Sequence, residues 1–537
     1  MTAVTDKGVP PDAPDSVKAS AQHPREPTFE PTLGIPSPST SGQRGEPPHR
    51  LVVIGDSLSH GFQSGAVFNT DLSYPAIIAH ELGWSEQFRY PRYPGLGGLP
   101  LNLELMMRTL EERFGPDISG WEVPLALFEV RNLMDKIENH WERGAGSAIP
   151  SASAINHCLA MYGWDLRDAL ERNAADLEAA IDRASDDLLY PLVEHASERA
   201  ALRVYPGYSD ATRRLTLFEA AMALGNDHDD STESGIDTLV VFLGANNALG
   251  TVTQLKVVWS EDNFRDLRAK RRYTAWQPEH FKDELDAVVE RVNQVKARHV
   301  IWCTVPHVTI APITRGVGDK SPGSRYFRFY TRPWISDADF DPGRDKHLTD
   351  QQARAVDAAI DCYNQAITEV VEAARSADGE AQRDWYLLDI AGLMDRLASR
   401  RYIDDPGIRP PWWSEYPLPP QLASLSPVPN SHFLTGDGNG GRGNGGLFSL
   451  DGVHPTTVAY GLIAQEMINI MQTAGIVFRH PNGTIRTGPV AVDFDRLIRR
   501  DTLVQRPPQN LMAGLHLLGW ADETLGWVMR AIGFNIG

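Results

Sequence analysis

The chain reads as an α/β protein, a doubly wound three-layer sandwich around a mostly parallel sheet. Two observations predict this. From residue 51 onward, short apolar runs rich in β-branched residues alternate with amphipathic helical stretches. The first run, Leu51-Val52-Val53-Ile54, passes directly into Gly55-Asp56-Ser57, a tight turn that leaves a hydroxyl at the strand's carboxyl end. In open α/β sheets that end is where ligands bind.

The expected strands are residues 51–54, 153–161, 238–243, 299–305 and 385–390. Each is short, apolar and bounded by polar or glycine-containing segments, as a strand buried on both faces requires. Between them, residues 166–184 and 281–296 carry apolar side chains at helical spacing, and 457–470 do so after the last motif. Residues 1–48 are dominated by Pro, Ser, Thr, Glu and Asp, and are expected to form a disordered tail, because they offer too little apolar surface to offset ordering. The domain proper spans 49–475, with long insertions at 84–150, 313–384 and 391–448. Residues 476–537 are expected to form a helical extension.

Composition narrows the function classes. The 537-residue chain has 42% hydrophobic and 23% charged residues, ordinary values for a globular protein. A net charge of −19 disfavours a nucleic-acid partner. Cys158, Cys303 and Cys362 are too few and too scattered for a disulfide framework or a zinc site. No apolar run approaches the roughly 18 residues of a membrane span, and the polar, proline-rich start lacks a secretory h-region. A cytoplasmic location is the expectation.

Four segments can supply one active site. Ser57 follows the first strand. Gly163 ends the second, before Trp164-Asp165-Leu166. Asn246 ends the third, in Gly244-Ala245-Asn246-Asn247. Asp451 and His454 lie in Leu450-Asp451-Gly452-Val453-His454, just before a helix. A serine becomes a nucleophile when a base removes its proton and fixed donors hold the oxyanion. Any one of these residues alone would read as a turn, cap or surface residue; their joint presence in this order points to chemistry.

In these segments the chain resembles the SGNH, or GDSL, hydrolase family of esterases and lipases. The resemblance covers roughly residues 50–310 and 447–470. It implies a flavodoxin-like SGNH fold and an ester hydrolase working through an acyl-enzyme, with no metal and no organic cofactor. Ser57 would be the nucleophile, His454 the general base and Asp451 its orienting carboxylate. The oxyanion hole would comprise the Ser57 and Gly163 N–H groups and the Asn246 amide. The substrate would be a small-molecule, lipid or carbohydrate ester. An acyltransferase using the same acyl-enzyme, or a non-catalytic binding protein on this fold, are the alternatives. One departure is visible: the family commonly has Asp where Asn247 stands.

Other signals are weaker. Residues 227–230, Asp-His-Asp-Asp, read as a solvated loop rather than a metal site. The glycine-rich residues 436–446 read as a flexible linker to the histidine segment, able to let a lid move. His307 stands between substrate contact and packing. Trp412-Trp413 fits a satellite core, and residues 511–532 fit a helix docked on the domain.

Overall fold

A computed structural model describes residues 8–37, 45–148, 154–181, 193–205, 212–228 and 232–520, with side chains to residue 515. Its centre is a five-stranded sheet, all parallel, formed by β1 (His49–Gly55), β2 (Cys158–Ala160), β3 (Ile236–Phe242), β4 (Ala297–Cys303) and β5 (Trp385–Leu388). The order across the sheet is β5-β4-β3-β1-β2. The chain therefore steps from β1 to β2 on one side and then crosses to β3 on the other. That reversal opens a crevice at the carboxyl ends of β1 and β3. All seven residues of β1 and of β3 are buried, which explains why both read as unbroken apolar runs rather than alternating ones.

Helices pack on the sheet in two groups. α1 (Asp15–Gln22), α3 (Leu217–Gly225), α4 (Pro278–Val292) and α5 (Asp350–Ser376) form one group, and α2 (Tyr74–Glu81) and α6 (Thr457–Thr473) the other. α2 packs on β1 and on α6, which also meets β5. α3 packs on β1 and β2, α4 on α3 and α5, and α5 on β4 and β5. α1 covers α5 from outside.

Several expectations change. The tail expected over 1–48 is not disordered at residues 8–37. Val17 and Ala21 of α1 are buried, and Arg25 Nη2 lies 2.7 Å from Asp389 in a buried pair. The Pro31 carbonyl accepts the Leu387 N–H at 2.9 Å, so this segment straps the free edge of β5. The insertion expected at 313–384 is only partly one. Its first half forms a small antiparallel sheet of Arg315–Lys320, Phe327–Thr331 and Leu348–Thr349, but α5 is the layer helix joining β4 to β5. The strand expected at 153–161 is confined to β2, and residue 153 lies outside the described residues. The helix expected at 166–184 breaks into Leu166–Glu171 and Ala174–Ile181, with residues 182–184 outside the described residues.

The insertion at 84–150 carries helices Leu103–Phe114 and Val123–Glu142. The glycine-rich segment at 436–446 is not an open linker. Thr435–Gly436 pairs with Arg442–Asn444, and Gln509 clasps it through the Gly438 N–H at 2.8 Å. Trp412 and Trp413 pack on a satellite cluster of Ile310, Ala398 and Tyr402. The helix Leu511–Trp520 docks on Leu103–Phe114, while the remainder of 511–532 lies outside the described residues. No helix among the described residues is long and apolar enough to cross a membrane.

Candidate active site

Strand register brings the site together. Gly55 of β1 sits beside Ala160 of β2 and Phe242 of β3. Ser57, Gly163 and Asn246 therefore follow within two to four residues of three neighbouring strand ends. A side chain at Gly55 would place its Cβ 2.1 Å from Ser59 Oγ and 3.1 Å from the Phe242 carbonyl, so the turn needs glycine. Asp56 then caps the short helix Ser57–His60, its Oδ1 accepting the Leu58 N–H at 3.0 Å.

The residues 449–454 fold into a compact turn built around Asp451. Its Oδ1 accepts the N–H groups of Val453 at 2.9 Å and His454 at 2.8 Å. Its Oδ2 lies 3.0 Å from His454 Nδ1 and accepts the Gly65 N–H at 2.9 Å. Burial disfavours the charge on Asp451, but the His454 charge and these hydrogen bonds outweigh it and hold the carboxyl below its ordinary range. An ionised Asp451 accepts the Nδ1 proton, which leaves the Nε2 lone pair directed at Ser57 Oγ, 2.9 Å away. Phe62 packs against the imidazole with ring centroids 4.5 Å apart and holds its plane. Ser57 is 4% exposed and His454 1%, so both are buried.

Gly163 adopts φ +74°, where a side chain is strained, and presents the turn after β2. Asn246 is tied to that turn by Nδ2, which donates to the Trp164 carbonyl at 2.8 Å. Gly163 and Asn246 border one cavity of about 760 Å³. Asn247 is fully buried, and neither its amide nitrogen nor its oxygen has a hydrogen-bond partner among the described residues. Its carbonyl accepts the Trp276 N–H at 2.8 Å, so the backbone there is fixed without the side chain.

Two residues near Ser57 escaped the reading of the sequence. Burial pushes Asp56 up to about 7, against the Leu58 N–H and the charge of His454. Burial likewise pushes His60 down to about 3, so it is neutral. Its Nδ1 accepts the Tyr162 N–H at 3.2 Å, and its Nε2 lies 2.7 Å from the Tyr93 hydroxyl, which donates to the Ala200 carbonyl at 2.9 Å. His60 thus positions the backbone immediately before Gly163. Its place three residues after Ser57 was the available signal, but Tyr93 comes from the insertion at 84–150 and has no local signature.

His307 follows β4 but belongs to a buried ionic cluster. Its Nε2 lies 2.9 Å from Asp361 and its Nδ1 3.5 Å from Asp395. Arg401 donates to Asp395 at 3.0 Å and Asp357 at 2.6 Å. Burial alone would strip the His307 proton, yet the charges of Asp357, Asp361 and Asp395 raise it to about 9. Asp227 meets His49 at 3.1 Å, Asp229 and Asp230 lie outside the described residues, and no group of three metal-ligating side chains occurs among the described residues. The chain matches no family model, no curated protein and no solved structure.

Proposed function

We propose that this chain is a serine hydrolase of the SGNH type that cleaves a carboxylic ester through an acyl-enzyme. The observation that carries the reading is the continuous hydrogen-bonded chain Asp451–His454–Ser57, with Nε2 2.9 Å from Oγ. The sheet order β5-β4-β3-β1-β2 supports the finer fold assignment, since it is the flavodoxin-like order with the site at its switch point.

In this reading His454 Nε2 takes the Ser57 proton as Oγ attacks the ester carbonyl. The oxyanion of the tetrahedral intermediate is held by the Ser57 and Gly163 N–H groups and by the Asn246 amide. Asn246 Nδ2 has two protons, and only one is engaged by the Trp164 carbonyl. Collapse breaks the ester C–O bond, and the imidazolium returns the proton to the departing alcohol. A water molecule, deprotonated by the same nitrogen, then releases the acid and regenerates Ser57. Asp451 stabilises the imidazolium without itself taking the proton.

The test is hydrolysis of 4-nitrophenyl esters of increasing acyl length by the wild type and by Ser57→Ala. Turnover that disappears in Ser57→Ala is expected. No turnover across the series, or equal turnover in both proteins, overturns the reading.

A further inference from the structure

The cavity bordered by Gly163 and Asn246 has an uneven charge lining in a chain whose overall charge is −19. Asp165 and Asp168, which open the helix Leu166–Glu171, are already satisfied. Lys270 Nζ lies 2.5 Å from Asp165 and 2.6 Å from Asp168, and Arg172 Nε lies 2.6 Å from Asp168. Glu198 faces His195 at 3.6 Å. Among the described residues, the remaining charges on the lining are Arg268 and Arg271, whose guanidinium groups have no ion-pair or hydrogen-bond partner there. The nearby Asp266 accepts the backbone N–H groups of Ala269 and Arg268, and these bonds and, to a smaller extent, the Arg268 charge hold its carboxyl below the ordinary range.

Both arginines are exposed, but the backbone that carries them is anchored. They flank and occupy the single turn Ala269–Arg272, and the turn is pinned by buried Lys270 to the two carboxylates that follow directly on Gly163 and Trp164. The same buried contact therefore fixes the arginines relative to the oxyanion donors. Both side chains are solvent-exposed at the edge of the cavity, and neither forms an ion pair with a carboxylate among the described residues. Positive side chains lining a cleft attract and orient an anion, and a guanidinium matches carboxylate or phosphate in a planar two-point contact.

We infer that the ester taken at this site carries an anionic group, a carboxylate or phosphate, received by Arg268 and Arg271. The inference rests on the serine-hydrolase reading and specifies its substrate class. The anion can belong to the acyl part or to the alcohol part, and two matched pairs of esters separate the two. The acyl pair is 4-nitrophenyl valerate and 4-nitrophenyl hydrogen glutarate. The alcohol pair is phenyl acetate and 4-acetoxybenzoate.

The wild type is expected to prefer the charged member of one pair in kcat/KM by about tenfold at low ionic strength, with the preference shrinking as salt is added. The Arg268→Gln/Arg271→Gln double variant is expected to reduce that ratio by about tenfold. A preference in the first pair places the anion on the acyl part, and in the second on the alcohol. Turnover of the neutral esters with no charged preference in either pair, or a preference unchanged in the double variant, overturns this inference and leaves the hydrolase reading standing. Absence of turnover on all four esters overturns both.

Discussion

His454 and His307 are built from the same parts and, in the proposed reading, do opposite things. Both are buried, both lie at the carboxyl-end side of the sheet, and both meet aspartate through a ring nitrogen. His454 has one carboxylate on Nδ1 and a hydroxyl on Nε2. His307 has a carboxylate toward each nitrogen and a third nearby, so its proton is held to about 9. In the proposed reading one aspartate orients His454 as a base, whereas the three around His307 hold its proton. The number and placement of the neighbouring carboxylates decide whether a buried histidine is a reactive group or a structural cation.

The comparison breaks first at His454. His454→Ala is expected to lower kcat by about 10⁶-fold, as nucleophile and base act as a unit. Steady-state ester hydrolysis by a variant shown to be folded by circular dichroism checks this. A loss below tenfold would put the base elsewhere. Asn246→Ala should cost about 10²–10³ in kcat, the usual effect of removing one oxyanion donor. Unchanged turnover on a slow ester would remove Asn246 from that role.

His60 sharpens the contrast from within the site, since it is neutral and acts only through backbone. His60→Phe removes the acceptor of the Tyr162 N–H and should lower kcat by about tenfold with KM nearly constant, corresponding to roughly one net hydrogen bond. His60→Gln, which retains an acceptor, should recover part of the loss. A change confined to melting temperature would make His60 purely structural.

The smallest effect on turnover is expected at His307, where His307→Gln should leave kcat at pH 7 nearly intact. Its effect falls on stability, at about 3–5 kcal/mol for breaking a buried ion network. The sign follows from its folded value, about 9, lying above the ordinary 6.5. Its contribution is full below about pH 6.5 and is lost as pH rises through about 9. The difference in melting temperature between wild type and variant should therefore narrow from pH 7 to pH 9.5. A gap that stays constant over this range instead would show His307 neutral in the fold.

Much of the sheet was legible because its strands are buried on both faces and so appear as dense β-branched runs, Leu51 to Ile54 and Leu239 to Phe242 being the clearest. Ser57, Gly163 and Asn246 were legible because each sits just beyond such a run, and Asp451 and His454 because they directly precede a helix. The strap at residues 8–37 was not. Beyond the packing of α1 on α5, it is held by scattered contacts, Arg25 and the Thr28 N–H with Asp389, the Pro31 carbonyl with Leu387 and the Ile35 carbonyl with Arg375, and these leave no periodic pattern. α5 was submerged in an apparent insertion because an antiparallel sheet precedes it within the same long connection. His307 was undecidable because its partners Asp357, Asp361 and Asp395 come from α5 and the segment after β5. Partner choice across such distances is a property of the fold, not of local spacing.

The central claim is that Ser57 is a nucleophile activated by His454, and covalent labelling tests it most directly. Treatment of the intact protein with a fluorophosphonate, followed by intact-mass measurement and peptide mapping, should give one adduct per chain, located on Ser57 and greatly slowed in His454→Ala. A folded wild-type protein that remains unlabelled, or one labelled elsewhere with Ser57 unmodified, would contradict it.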